Sequence, residues 1–145
     1  MRRYVLAGVV GVALTFGVTA CGGESDNEKI ESVVKQFFTG IAEGDGEKAC
    51  DALAGPYQRE ILSDDAEGSC SERLSQVAEN SGDEEKDAFT SVEVTDIEKR
   101  GEGKALAKTK SDKPSEGFDN VGAYNMRKFG DDWKIASNDQ IEGAE

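Results

Sequence analysis

The chain offers few side chains suited to catalysis, because it contains no histidine and only three cysteines. The cysteines are Cys21, Cys50 and Cys70, and no two of them have the Cys-x-x-Cys spacing of a redox or zinc motif. A thiol nucleophile would also lack an imidazole to act as its base. The pattern therefore favours covalent attachment or cross-linking as the role of the cysteines.

One carboxylate, Asp96, could face the interior of the protein, because it follows Val92 and Val94 at strand spacing. A buried acid acts as a general base only when its pKa is raised and a donor lies close by, and Tyr57 or Tyr124 could supply that donor. The other interpretation is a β-bulge or a solvated strand end at Asp96. We expect the bulge or the solvated strand end, because burying an unpaired carboxylate costs several kcal/mol.

Other chemical motifs are absent from the sequence. The acidic clusters at 64–65, 83–85 and 131–132 do not have the spacing of a calcium-binding loop. Gly101 and Gly103 join two predicted strands and precede no helix, unlike a phosphate-binding loop. We therefore predict no catalytic residue, no metal ion and no cofactor.

The formal net charge is −13, from 30 acidic and 17 basic residues. Such a surface repels nucleic acid and the headgroups of anionic lipids. We interpret the excess as a solvated acidic surface, the alternative being a face that binds cations. We expect no nucleic-acid partner.

Cys21 follows a segment with the features of an export signal. Arg2 and Arg3 give a positive start, and residues 4–20 carry no charge. Val18-Thr19-Ala20-Cys21 resembles the lipobox of bacterial lipoproteins. The resemblance implies a signal peptide over 1–20 and acyl chains such as palmitate attached at Cys21. It also implies a cell-membrane location on the extracytoplasmic face. An uncleaved membrane anchor and ordinary secretion are the alternatives.

Cys50 and Cys70 remain after the anchor. An even number of cysteines in a secreted domain is typical of a disulfide framework, and two cysteines allow one connectivity. We predict a Cys50–Cys70 disulfide, with two free buried thiols as the alternative.

Apolar spacing predicts the helices. A capping box from Ser25 to Glu28 opens an apolar stripe of 3.6-residue period, which ends at Gly44. Further segments complete this half of the chain: helices at 47–53 and 70–80, a helical turn at 57–62, a flexible tether at 21–27 and a polar connector at 81–87.

Beyond the connector the apolar period changes to two, which indicates strands. We predict strands at 88–100, 104–110, 121–129 and 133–137, and a mobile tail at 138–145. Three helices followed by antiparallel strands give an α+β domain over 28–137. The first helix should lie across the concave side of a curved antiparallel sheet.

Two stretches carry a further resemblance, IESVVKQFFTGIAEGDGEKACDAL at 30–53 and YNMRKFGDDWKIAS at 124–137. They resemble the opening helices and closing hairpin of the nuclear-transport-factor-2-like (cystatin-like) superfamily. The resemblance implies a cone between helix and sheet that holds a ligand, an active site or packed side chains. The residues that could line this cone are Phe37, Phe38, Ile41, Tyr124 and Trp133.

Fold alone does not choose among these uses of the cone. We expect a non-enzymatic binding or protein-interaction module at the cell envelope, whose partner is an envelope protein or a small apolar ligand. The alternative is a small isomerase- or dehydratase-like enzyme that uses the cone as its pocket.

Overall fold

A computed structural model describes residues 23–62, 67–113, 115 and 121–139. Five helices precede four strands in the described chain. The helices are α1 (Asp26–Glu43), α2 (Gly46–Asp51), α3 (Gly55–Ile61), α4 (Cys70–Asn80) and α5 (Asp83–Thr90). The strands are β1 (Val92–Lys99), β2 (Lys104–Ser111), β3 (Val121–Phe129) and β4 (Asp132–Asp139).

Helix α1 begins and ends where its sequence signals lie. The Ser25 hydroxyl accepts from the Glu28 backbone N–H, and the Glu28 carboxylate accepts from the Ser25 N–H at 2.7 Å. These reciprocal bonds satisfy two backbone donors that the first helical turn leaves unpaired. Gly44 ends the helix with φ of +75°, a left-handed conformation that glycine adopts without steric cost. Both ends of α1 are therefore fixed by local sequence.

The four strands form an antiparallel meander in the order β1-β2-β3-β4. One face of this sheet packs against α1 and carries the core, and we call it the inner face. The segment after α2 also joins the sheet, because Ala54 N–H donates to the Ile135 carbonyl at 2.8 Å on β4. The core between α1 and the inner face is apolar, and its most completely buried large side chains are Ile30, Val34, Leu53, Met126 and Ile135.

The connector predicted at 81–87 is mostly helical, since α5 occupies Asp83–Thr90. Asp83, Glu84 and Glu85 lie in its first turn, where the helix dipole favours negative charge. The Glu85 carboxylate also accepts from the Gly82 N–H at 3.1 Å. Consequently the first strand begins at Val92 rather than at residue 88. The described residues contain five helices, where the sequence predicted three helices and the helical turn that α3 replaces.

The ends of the domain also differ from the expectation. Helix α1 includes residues 26 and 27, which lie in the predicted tether. Strand β4 extends through Asn138 and Asp139, which pair with Tyr124 and Ala123 and lie in the predicted mobile tail. The predicted signal peptide, the lipobox, Cys21 and residues 140–145 lie outside the described residues, as do Asp64 and Asp65. Within the described ranges, no helix has the length and apolar character needed to cross a membrane.

Candidate functional site

An aromatic cluster lies between α1, α5 and the sheet. The ring centroids of Phe37 and Phe38 lie 5.2 Å apart in an edge-to-face arrangement, and the Tyr124 ring meets Phe38 edge-on at 5.7 Å. Phe89 of α5 stacks on Phe38 at 6.3 Å. Aromatic pairs in these geometries contribute beyond the area that they bury. Among the described residues, aromatic side chains pack against one another in this part of the cone.

Three of the five predicted cone-lining residues, Phe37, Phe38 and Tyr124, therefore lie together. Ile41 is also buried in the core, 5 % exposed, one turn further along α1. Trp133 is not part of the same cluster. It pairs with Lys128, four residues beyond Tyr124 along β3, which places it about 13 Å away along the strand.

Two partly buried tyrosines, Tyr57 and Tyr124, pack against the core. Burial raises the pKa of the Tyr124 hydroxyl far above its usual range. Burial, assisted by the charge of Glu60, also raises the pKa of Tyr57. Both hydroxyls are therefore protonated at neutral pH. They could donate a hydrogen bond to a ligand, but neither could act as a base.

Asp96 lies away from the cone. A bulge shifts the β1–β2 register between Val94 and Asp96, and the Asp96 carboxylate, about half exposed, pairs with Lys108 Nζ at 3.3 Å. Lys108 also bonds Glu98, and these two acidic partners raise the pKa of the lysine. The bulge that we expected is thus present. It turns this carboxylate to the outer face of the sheet.

The buried polar side chains of the described residues are Thr109 and Ser111, both neutral. The described residues also contain no group of three or more Cys, Asp or Glu side chains arranged to hold a metal ion. A general base inside the cone would have to come from elsewhere in the chain or from a ligand.

Cys50 and Cys70 form a disulfide with a Cα–Cα distance of 6.1 Å. The bond joins the end of α2 to the first residue of α4, as the sequence predicted. The same junction is closely packed at Gly46, where a Cβ atom would lie 1.8 Å from the Ser71 carbonyl oxygen. Ser75 completes it, since its hydroxyl accepts from the Gly46 N–H and donates to the Gly44 carbonyl. The disulfide and these contacts therefore hold α2 against α4.

At the opposite end of α1, Asp26 is bound by three side chains of the sheet. Trp133 Nε1 donates to its Oδ1 at 3.0 Å, Lys128 Nζ lies 2.9 Å from the same oxygen, and Lys99 Nζ lies 3.9 Å from Oδ2. The two ammonium groups also lie over the Trp133 ring, at 5.0 and 6.0 Å from its centroid. We call these four residues the N-terminal clamp.

The electrostatics of the clamp follow from its geometry. The hydrogen bonds from Trp133 and Lys128 lower the pKa of Asp26 to about 2. The Asp26 carboxylate in turn raises the pKa of Lys128. A shallow cavity of about 640 Å³ adjoins the clamp and the two hairpin turns. The clamp therefore fixes the start of α1 to the tips of both hairpins. The sequence did not predict that these four residues come together.

Comparison with known proteins supports the fold and leaves the function open. No protein-family model matches the chain, and no curated protein matches it at a significant level. Among solved structures, the chain is similar to an NTF-2-like protein of unknown function from Shewanella oneidensis MR-1. The sequence identity is 16 %, the TM-score is 0.50, and the match covers 79 % of this chain and 97 % of that one. The fold is thus α+β, with helices packed on a curved antiparallel sheet in an NTF-2-like cone, as predicted.

Proposed function

We propose that this chain is a lipoprotein held on the extracytoplasmic face of the cell membrane through acyl chains on Cys21. Its folded domain is a non-enzymatic binding or protein-interaction module of the cell envelope. The lipobox-like residues and the uncharged segment before them support the anchor. Two or more acyl chains on one cysteine would give stable attachment, whereas a single chain gives only marginal binding.

The observation that carries the non-enzymatic assignment is the packing of the cone. Phe37, Phe38, Phe89 and Tyr124 pack against one another between helix and sheet, where the superfamily resemblance implies a ligand, an active site or packed side chains. The described core also lacks a buried carboxylate that could act as a base. A filled, apolar cone serves stability, and recognition then takes place on the surface of the domain.

The disulfide agrees with an extracytoplasmic location. Disulfides persist in oxidising compartments and are rare in the reducing cytosol of most organisms. Cys50 and Cys70 are buried and joined, so the pair fastens the helices rather than exchanging electrons.

Two experiments test this function. Membrane fractionation should recover the wild-type chain with membranes, whereas the Cys21→Ala variant should accumulate as a precursor or be released. For the cone, titration of an apolar fluorescent probe should show no saturable binding to the wild-type domain. Saturable binding that Tyr124→Phe weakens would contradict the filled cone.

The isomerase- or dehydratase-like alternative has one observation in its favour, the protonated hydroxyls of Tyr57 and Tyr124 beside the cone. Such hydroxyls could polarise a ligand carbonyl. An enzyme of this kind would accelerate the exchange of α-protons of an apolar ketone in heavy water, and Tyr124→Phe would reduce that acceleration. Exchange at the rate of buffer alone supports the binding module.

A further inference from the structure

The outer face of the sheet, opposite α1, carries basic side chains in a row near the hairpin tips. The strand registers place Lys104 beside Arg127 and Arg127 beside Lys134, so these three residues lie side by side across β2, β3 and β4. Arg100 extends the row, since its N–H donates to the Lys104 carbonyl at 2.9 Å. A row of four basic residues is notable in a chain whose net charge is −13.

Phe129 adds an apolar group to this row. It lies two residues beyond Arg127 on β3, which puts both on the same face, and it is 48 % exposed. With Val77 it is one of the two large hydrophobic residues exposed in the described part of the chain. We call Arg100, Lys104, Arg127, Lys134 and Phe129 the basic tip patch.

Lys104 and Arg127 are the exposed centre of this patch, and neither makes an ion pair within the described residues. Arg100 pairs with Glu98 at 3.7 Å, and Lys134 donates to the Asp51 carbonyl. Acidic side chains also border the patch, with Asp132 opposite Phe129 and Glu102 in the β1–β2 turn, so its unpaired positive charge within the described residues is centred on Lys104 and Arg127.

The N-terminal clamp fixes this patch relative to the point where the chain leaves the domain. Asp26 is bonded to Lys128 and Trp133, which lie one residue along their strands from Arg127 and Lys134. One residue of strand spans about 3.3 Å, so the start of α1 and the basic row lie at nearly the same level of the sheet. They are on opposite faces of it.

Ser25 follows Cys21 by four positions, and a chain of that length reaches about 14 Å at most. From the proposed lipid anchor on Cys21, on which this inference rests, we infer that the basic tip patch faces the bilayer. There its basic side chains contact anionic lipid headgroups, and Phe129 enters the interface. The remainder of the domain extends away, since α1 alone is about 27 Å long.

Because the tether is short, the bilayer is a better candidate than an acidic protein for the binding partner of this patch. Each basic residue near an anionic membrane surface increases the constant for binding to that surface about fivefold. The acyl anchor makes the contact intramolecular, so a patch too weak to bind vesicles by itself can still set the orientation. The acidic remainder of the domain is repelled from the same surface and favours the same orientation.

The experiment uses the full acylated protein in vesicles of phosphatidylcholine with or without phosphatidylglycerol. Glu102→Cys at the β1–β2 tip and Glu93→Cys near the far end of β1 are matched exposed reporter sites. A polarity-sensitive fluorophore would be attached to the new thiol of each variant. The label is selective for that thiol, because Cys21 is acylated under this proposal and Cys50 and Cys70 form a disulfide. Spin-labelled lipids then measure how close each site lies to the bilayer.

We expect quenching at residue 102 to exceed quenching at residue 93 severalfold in vesicles that contain phosphatidylglycerol. The double variant Lys104→Glu/Arg127→Glu should abolish that difference. Lys35→Glu/Arg73→Glu, which changes the charge equally at exposed sites on α1 and α4, should preserve it.

Equal quenching at the two sites, or an unchanged difference in the Lys104→Glu/Arg127→Glu variant, would overturn the orientation while leaving the anchor intact. Flotation of the same protein with vesicles is measured first. Failure to float would overturn the anchor itself, and the orientation with it.

Discussion

The indole Nε1 of Trp133 donates to the Asp26 carboxylate at 3.0 Å, across 107 residues of sequence. This bond joins the first residue of α1 to the closing hairpin, and Lys128 bonds the same oxygen from the neighbouring strand. The two ends of the folded domain are therefore held together where the chain enters it. These hydrogen bonds fix the position at which the N-terminal segment joins the domain.

Replacing Asp26 should change how stability depends on pH. The pKa of Asp26 is lowered from 3.8 to about 2, chiefly by the hydrogen bonds from Trp133 and Lys128. A lowered pKa means that the unfolded chain takes up the proton first, so this contribution is present above about pH 4 and is lost as the pH falls toward 2. Asp26→Asn should remove that component from urea unfolding curves measured across this range. Glu31→Gln, an exposed change on the same helix, is the control, and equal pH profiles for Asp26→Asn and the wild type would contradict the clamp.

The disulfide should account for a measurable share of the stability. Cys50 and Cys70 lie 20 residues apart in sequence, and closing a loop of this size in the unfolded chain contributes about 3 kcal/mol. The double variant Cys50→Ala/Cys70→Ala should lose roughly that much free energy of unfolding. Wild-type protein unfolded with and without a reductant is the matched comparison. A loss below about 1 kcal/mol, small beside that loop-closure contribution, would mean that the bond constrains little.

Gly46 should be intolerant of any side chain. A Cβ at this position would lie 1.8 Å from the Ser71 carbonyl oxygen, so α2 and α4 would have to separate. Gly46→Ala should destabilise the domain by about 1–3 kcal/mol or more, as overpacking does. Gly82→Ala is the control, because nothing lies within 4 Å of its Cβ position. Similar melting temperatures for the two variants would show that the junction is looser than described.

Asp96→Asn should be nearly neutral for stability. The carboxylate is 54 % exposed and its ion pair with Lys108 lies on the surface, where such pairs contribute about 0–1 kcal/mol. Thermal unfolding of the variant and of the wild type measures the difference. A loss of several kcal/mol, or a loss of ligand binding, would restore Asp96 as a candidate functional residue.

Local signals in the sequence account for much of the helical structure. The helix predicted at 70–80 matches α4, whose start is fixed by a capping box between Ser69 and Glu72 within four residues of sequence. Helix α5 was missed because its acidic first turn has no apolar period, and Ala88 is its one buried residue. Its position depends on Phe89 stacking against Phe38, a contact between distant segments.

The candidate site was harder to predict than the fold. Phe37 and Phe38 were identified as possible cone-lining residues through the resemblance of residues 30–53 to the opening helices of the superfamily. The N-terminal clamp needs Lys99, Lys128 and Trp133 to meet Asp26 through strand pairing, and none of these residues is near Asp26 in sequence. The basic row likewise exists only in the register of β2, β3 and β4.

The most direct test of the central proposal is the intact mass of the protein purified from membranes. We predict a chain that begins at Cys21 and carries the added mass of a diacylglyceryl group. The Cys21→Ala variant should lack this added mass. Recovery of an unmodified chain that still contains residues 1–20, or of a chain cleaved elsewhere without acyl mass, would contradict the lipoprotein assignment and the membrane orientation derived from it.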